Sequence, residues 1–199
     1  MNLDELVETI LKKEKKHPYV IAFEGMIGSG KSYEANLLKE QLGGKAQQVS
    51  TDLFVSVPRS EWPKRLEIHD VNLESWYDLQ KIKQALELVK KKECFTVDGL
   101  YNLSNGQFDD ELEVDATDCD YLILEGLFSC HEDLDDFVDL RVFLDVPEEV
   151  ALSRAHVRDE TVRHLDHDSW LQKKDIFYDH YLPYLESHKD RADVILDPD

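Results

Sequence analysis

Residues 25 to 32 read Gly25-Met26-Ile27-Gly28-Ser29-Gly30-Lys31-Ser32: a glycine, four residues, a second glycine, then lysine and serine. That spacing is the phosphate-binding loop pattern. Glycines let backbone close around an anion because no Cβ intervenes, and their successive N–H groups then point at it. The N-terminus of a following helix adds partial positive charge. Lys31 is placed to reach terminal phosphates, and the Ser32 hydroxyl to hold Mg²⁺. The ligand implied is ATP or a similar nucleoside triphosphate, bound with Mg²⁺.

Other chemistry-bearing residues recur where a phosphoryl-transfer site needs them. Glu125 ends the apolar run Tyr121-Leu122-Ile123-Leu124 and can hold the metal opposite Ser32. Asp52 follows a short run from Gln47 to Thr51 and can take a proton from an acceptor hydroxyl. Arg154 and Arg158, four apart, share one face of a helix. Neither has an acid three or four residues away to offset their repulsion, so an anion between them is the functional reading, with Arg163 as a further lid candidate. Phe54, Trp62, His69, Trp76, Tyr77, Tyr101 and Asn102 could stack a flat ring and bond sugar hydroxyls. Of these, Trp76 also fits a core stripe, whereas Tyr101 and Asn102 lie in a turn. His164, Asp166, His167 and Asp168 read as a solvated loop rather than a metal cluster, because their spacing is loose and no cysteine joins them.

The elements that must position these groups alternate. Apolar strands are expected at Tyr19–Phe23, Gln47–Thr51, Tyr121–Leu124, Leu140–Leu144 and Ala192–Leu196, with a further one at Cys94–Val97. Helices are expected over Tyr33–Leu42, ended by Gly43-Gly44, over Leu73–Lys92 with Trp76, Leu79, Ile82, Leu86 and Val89 at helical spacing, and over Trp170–Ser187. Pro147 opens the helix that carries the paired arginines. Asp98 to Asn102 turns away from its strand, Ser104-Asn105-Gly106 looks like a hairpin turn, and the acid-rich Phe108–Asp120 is expected to be exposed. Strands alternating with helices give an α/β fold of the P-loop NTPase type, a three-layer α/β/α arrangement with a mostly parallel central sheet and a small helical lid. Ligands belong at the carboxyl ends of such strands, where Glu24-Gly25 and Glu125-Gly126 both sit.

The chain has 199 residues, 42% hydrophobic and 33% charged, which fits one globular domain over residues 1–199. Within it, residues 1–17 form an N-terminal helix with Leu3, Leu6, Ile10 and Leu11 on one stripe. About 52–115 form the acceptor region and about 154–168 the lid. The net charge of −20 argues against nucleic acid or an anionic membrane as partner, and leaves a small-molecule acceptor; a homo-oligomer stays open. Three cysteines without metal-ligand spacing read as reduced thiols, and the absence of a span or signal core reads as cytoplasmic. There is no Asn-Lys-x-Asp guanine motif and no dinucleotide fingerprint.

These motifs resemble those of the uridine kinase and phosphoribulokinase family of P-loop kinases. The resemblance runs over nearly all of the chain after His17 and is most specific at Gly25–Ser32. Thr51-Asp52-Leu53-Phe54 is similar to the family's Asp-Asp-Phe-Tyr stretch, which implies Asp52 as base. Tyr101-Asn102 resembles its Tyr-Asp sugar-binding pair, Leu124-Glu125-Gly126 its Glu-Gly strand end, and Arg154 to Asp159 its Arg-Arg-x-x-Arg-Asp lid helix. Tyr181 to Asp193 is similar to the segment near the adenine pocket. Thr51, Leu53, Ala155 and Asn102 depart from the pattern. The resemblance implies ATP- and Mg²⁺-dependent phosphorylation of a hydroxyl, with a nucleoside of the uridine or cytidine kind as acceptor. Nicotinamide riboside, pantothenate or another small alcohol is an alternative acceptor, and an ATP-binding regulatory module with little turnover is an alternative function. A phosphorylated acceptor is disfavoured, because Arg59 and Arg65 are the only arginines between Asp52 and Asp110 and acids lie near both.

Overall fold

A computed structural model describes residues 1–13, 18–66 and 72–197. Five parallel strands form one sheet: β1 (Tyr19–Gly25), β2 (Ala46–Ser50), β5 (Tyr121–Glu125), β6 (Leu140–Leu144) and β7 (Val194–Leu196), in the order β2-β5-β1-β6-β7. β1 lies at the centre and every residue of it is buried. Its side chains alternate between two cores, as strand pleating requires. Val20 and Ala22, with Leu122 and Leu124 of β5, face Ile82, Ala85, Leu86 and Val89 of helix α4 (Leu79–Lys90). Ile21 and Phe23, with Tyr121 and Ile123, face Leu6 and Ile10 of α1 (Leu3–Leu11) and Ala35 and Leu38 of α2 (Lys31–Leu42). Helices therefore cover both faces, and β1 and β5 run side by side with Phe23 opposite Glu125. That register brings the phosphate loop and the second carboxylate to one edge of the sheet.

Several elements differ from the sequence expectation. α1 is shorter than residues 1–17; Asn2 caps it by accepting from the Glu5 N–H while the Glu5 side chain accepts from Asn2, and Leu11 is exposed rather than packed. The helix expected from Leu73 breaks at Tyr77. Asp78 accepts a hydrogen bond from the Lys81 N–H at 2.9 Å and so starts α4, while Glu74–Trp76 form a separate 3₁₀ turn. The helix expected over Trp170–Ser187 is two, α6 (His167–Ile176) and α7 (Leu182–Lys189), joined by a π turn at Phe177–Tyr181. Pro183 has no N–H to donate, and the hydrogen-bond ladder changes register just before it. Pro147 is the N-cap of α5 (Glu148–Thr161), not its first helical residue.

The acid-rich segment contains an unexpected strand. β4 (Asp110–Asp115) pairs antiparallel with β3 (Cys94–Leu100), which continues past Val97 through a bulge at Gly99, φ +64°. The alternation in Glu111-Leu112-Glu113-Val114-Asp115 explains it: Val114 is buried in the α4-side core and Leu112 packs on that core, while Glu111, Glu113 and Asp115 face out. A short helix, α3 (Trp62–Leu66), follows a 3₁₀ turn at Arg59–Glu61.

Candidate active site

The loop after β1 is built by backbone that only glycine adopts readily. Gly28 has φ +75° and Gly30, the N-cap of α2, φ +99°. Lys31 is buried, and its ammonium donates to the carbonyls of Gly25 at 2.7 Å and Met26 at 2.9 Å. Burial lowers its pKa, opposed by the carboxylates of Glu24, Asp52 and Glu125. Ser32 donates to Glu125 Oε2 at 2.9 Å, joining the start of α2 to the end of β5. Burial, then the charge of Asp52, raises the Glu125 carboxyl. Two hard oxygen groups at hydrogen-bond distance, with a second carboxylate, Asp52, close enough to repel the first, form a donor set suited to Mg²⁺.

Asp52 sits in a 3₁₀ turn, Thr51–Phe54, directly after β2. Thr51 anchors that turn by donating to the Leu127 carbonyl at 2.7 Å. Gly126, φ +123°, is needed there, since a Cβ would lie 2.3 Å from the Thr51 hydroxyl. The Asp52 charge and, above all, burial hold the Tyr77 phenol far above its ordinary pKa. Lys31, Ser32, Asp52, Tyr77, Tyr101, Glu125, Arg154 and Arg158 line a single cleft of about 640 Å³. One end of it is walled by Trp62, which stacks on Tyr101 at 6.3 Å, and by Trp76 at 5.9 Å from Trp62. Among the described residues the Tyr101 hydroxyl, buried there, has no hydrogen bond of regular geometry, and the Arg59 guanidinium is close enough to act on it. Arg59 lines the same end and donates to the Leu103 carbonyl at 2.7 Å, while Arg65 pairs with Glu61 outside it.

Two expected acceptor contacts lie elsewhere. Phe54 is in the α4-side core, 1% exposed, because the 3₁₀ turn points it away from the cleft that Asp52 faces. Asn102 closes its own turn: its side-chain oxygen accepts from the Ser104 N–H at 2.9 Å, and it does not line the cleft. His69 lies outside the described residues. Asp166 caps α6 by accepting from the Ser169 N–H at 2.8 Å.

One group that sequence reasoning missed lines the cleft, and another, named only as the end of the lid-helix motif, organises it. Asp159 is fully buried and gathers Arg158, Arg163 and Lys173. Lys173, on α6, lines the cleft with both arginines. Nothing in the local sequence singles it out from Lys174 beside it. Ala155, which replaces an arginine of the lid motif, is fully buried in the cluster beneath the cleft.

A parallel sheet with a glycine-rich loop leading into a helix, a lysine and serine at its end and a carboxylate on the neighbouring strand defines the P-loop kinase class of fold. The chain belongs to the phosphoribulokinase / uridine kinase family, whose model matches residues 20–198. It is 26% identical over 186 residues to a chloroplastic uridine/cytidine kinase of Arabidopsis thaliana, an alignment covering 90% of this chain and 38% of that protein. It is 24% identical over 187 residues to a uridine kinase of Ureaplasma parvum, covering 90% and 87%. Among solved structures it resembles a protein from Bacillus stearothermophilus described as a possible uridine kinase, with TM-score 0.65, 21% identity and 98% and 97% coverage. It also resembles a D-glycerate 3-kinase from Cryptococcus neoformans, with TM-score 0.60, 14% identity and 94% and 87% coverage.

Proposed function

We propose that this chain transfers the γ-phosphate of ATP to a hydroxyl of a small molecule. The observation that supports this reading is the Ser32–Glu125 contact at 2.9 Å, a pair of oxygen groups in the same cleft as Lys31 and Asp52. The N–H groups of residues 25–32 and the Lys31 ammonium hold the phosphates. Ser32 and Glu125 would hold Mg²⁺, which would supply positive charge to the phosphate oxygens. Asp52 accepts the acceptor's proton as its oxygen bonds to phosphorus and the bond to the β–γ bridging oxygen breaks, leaving ADP. Arg154 and Arg158 offset the charge that spreads over the transferring group.

Within that class we assign the acceptor to nucleosides of the uridine or cytidine kind. The aromatic wall of Trp62, Trp76, Tyr77 and Tyr101 suits a flat ring, and two relatives carry uridine kinase names. The test is Asp52→Asn assayed for ADP release against nucleosides, nicotinamide riboside, pantothenate and glycerate, alongside Mg·ATP binding. The proposal expects wild-type turnover with a nucleoside, lost in the variant while ATP still binds. Turnover only with another alcohol rejects the nucleoside, and turnover undiminished in Asp52→Asn rejects the assigned base.

A further inference from the structure

The cleft carries a cationic cluster out of keeping with the chain's net charge of −20. Arg158 on α5, Arg163 in the loop after it and Lys173 on α6 all line it, and all three bond one carboxylate. Asp159 Oδ1 accepts from Arg158 Nε at 3.0 Å and Nη2 at 2.9 Å and faces Arg163 Nη1 at 3.4 Å; Oδ2 accepts from Lys173 Nζ. Asp159 is 0% exposed. Burial alone would raise its pKa, but Lys173, Arg158 and Arg163 together hold it below its ordinary value. The three cations themselves stay 19 to 37% exposed, so their side chains meet the open cleft while sharing one fully buried carboxylate. An anion entering the cleft meets all three.

The cluster also spans the reaction line. Arg158 is near enough to Lys31 to depress its pKa, and Arg163 near enough to Asp52 to feel its charge. Lys173, bonded to the same carboxylate, lines the cleft that also holds Lys31 and Asp52. Asp159 uses one of its ammonium's three donors, and the others are left for oxygen atoms in the cleft.

We propose that Lys173 is a further catalytic residue, contacting the phosphoryl group in transit, and that Asp159 is the positioning residue that holds Lys173, Arg158 and Arg163 as one cradle. This rests on the phosphotransferase reading above. Lys173 then differs from the arginines in one measurable respect. Burial first, then the adjacent Arg163 and Arg158 charges against the Asp159 carboxylate, bring its pKa down to about 8. Bound phosphate oxygens push that value back up, so ATP binding above pH 8 takes up a proton, and affinity falls as pH rises through that range. A lysine that only packs against Asp159 shows neither effect.

The experiment uses the full chain and Mg·ATP. Calorimetric titrations at pH 8.5 in two buffers of different ionisation enthalpy count the protons taken up on binding. Steady-state kinetics are run for Lys173→Met, Lys173→Arg and Asp159→Asn, with melting temperatures to confirm folding and Lys31→Ala as control. Wild type is expected to take up most of one proton, and Lys173→Met and Lys173→Arg none. Lys173→Met is expected to lose about 10²-fold in kcat with a smaller change in the KM for ATP, and Lys173→Arg to recover most of it. Asp159→Asn is expected to lower kcat; a mere counter-charge would instead tighten ATP binding when removed. Unchanged kcat in Lys173→Met, or proton uptake that survives in Lys173→Arg, overturns the proposal while the kinase reading stands. If wild type binds no Mg·ATP, or Lys31→Ala binds as well as wild type, the kinase reading fails and takes this one with it.

Discussion

The backbone of Gly28 lies so close to the carbonyl of Ala151 that a Cβ at residue 28 would sit 2.0 Å from that oxygen. The tip of the phosphate loop is thus seated on the helix that carries Arg154 and Arg158. Ala151 and Ala155, one turn apart and both fully buried, are small enough to permit the approach. The alanine that replaces the lid motif's arginine at position 155 has a steric reason, since an arginine there would fill the space the loop occupies.

Gly28→Ala should therefore cost more than Gly30→Ala. Both positions have positive φ, at +75° and +99°, so both variants bear backbone strain of about 1–2 kcal/mol. Of the two, residue 28 is where the new methyl would meet backbone, whereas no atom of the described residues lies within 4 Å of a Cβ at residue 30. Thermal melts without ligand should place Gly28→Ala clearly below Gly30→Ala. Equal melting temperatures would mean the loop does not rest on α5 in solution.

The metal pair gives a second test. Glu125→Gln should raise the Mg²⁺ concentration needed for ATP binding by about tenfold or more, and Ser32→Ala by less, because only the carboxylate brings a charge. The free protein should respond in the opposite direction. Burial and the nearby Asp52 charge raise the Glu125 pKa, so its ionised form is strained until a cation arrives. Glu125→Gln should then melt no lower than wild type without metal. A variant that melts lower and binds Mg·ATP normally would make Glu125 a structural residue.

What the sequence disclosed and what it hid divide along physical lines. The phosphate loop, the buried strands and the carboxylates at their ends were legible because each is a contiguous run in which local pattern and tertiary role agree. β4 was obscured because its acids outnumber the two apolar residues that turn inward. Phe54 and Asn102 were misplaced because a 3₁₀ turn and a side-chain-capped turn rotate neighbours of cleft residues away from the cleft. Lys173 was invisible because its partner, Asp159, is fourteen residues earlier on a different helix.

The acceptor end can be probed through Tyr101, whose hydroxyl is buried in the cleft without a regular partner. Arg59 is the group that acts on this hydroxyl, without regular hydrogen-bond geometry, and a ligand that supplies a well-aligned partner would improve on it. Tyr101→Phe should raise the acceptor KM several-fold, leave the KM for ATP unchanged, and melt at or above the wild-type temperature. A selective rise in the KM for ATP would move Tyr101 to the donor side.

The last test concerns Glu24, next to the loop but not lining the cleft. It is 1% exposed and accepts hydrogen bonds from the Cys130 N–H at 3.1 Å and from the Tyr181 hydroxyl. Burial outweighs these bonds and the Lys31 charge, raising its pKa from 4.5 to about 7. The folded state therefore holds this proton more tightly than the unfolded chain does, and the sign of the linkage follows. The stabilising contribution is complete below about pH 4.5 and is lost as pH rises to about 7, a change of about 3 kcal/mol. Glu24→Gln keeps the shape and an acceptor oxygen but cannot ionise. Its melting temperature relative to wild type should climb across that window and level off above it, read from melts in a ladder of buffers from pH 4.5 to 8. A difference that stays flat with pH would show that Glu24 is ionised throughout, stabilised by Tyr181, Lys31 and the Cys130 amide against the loss of water.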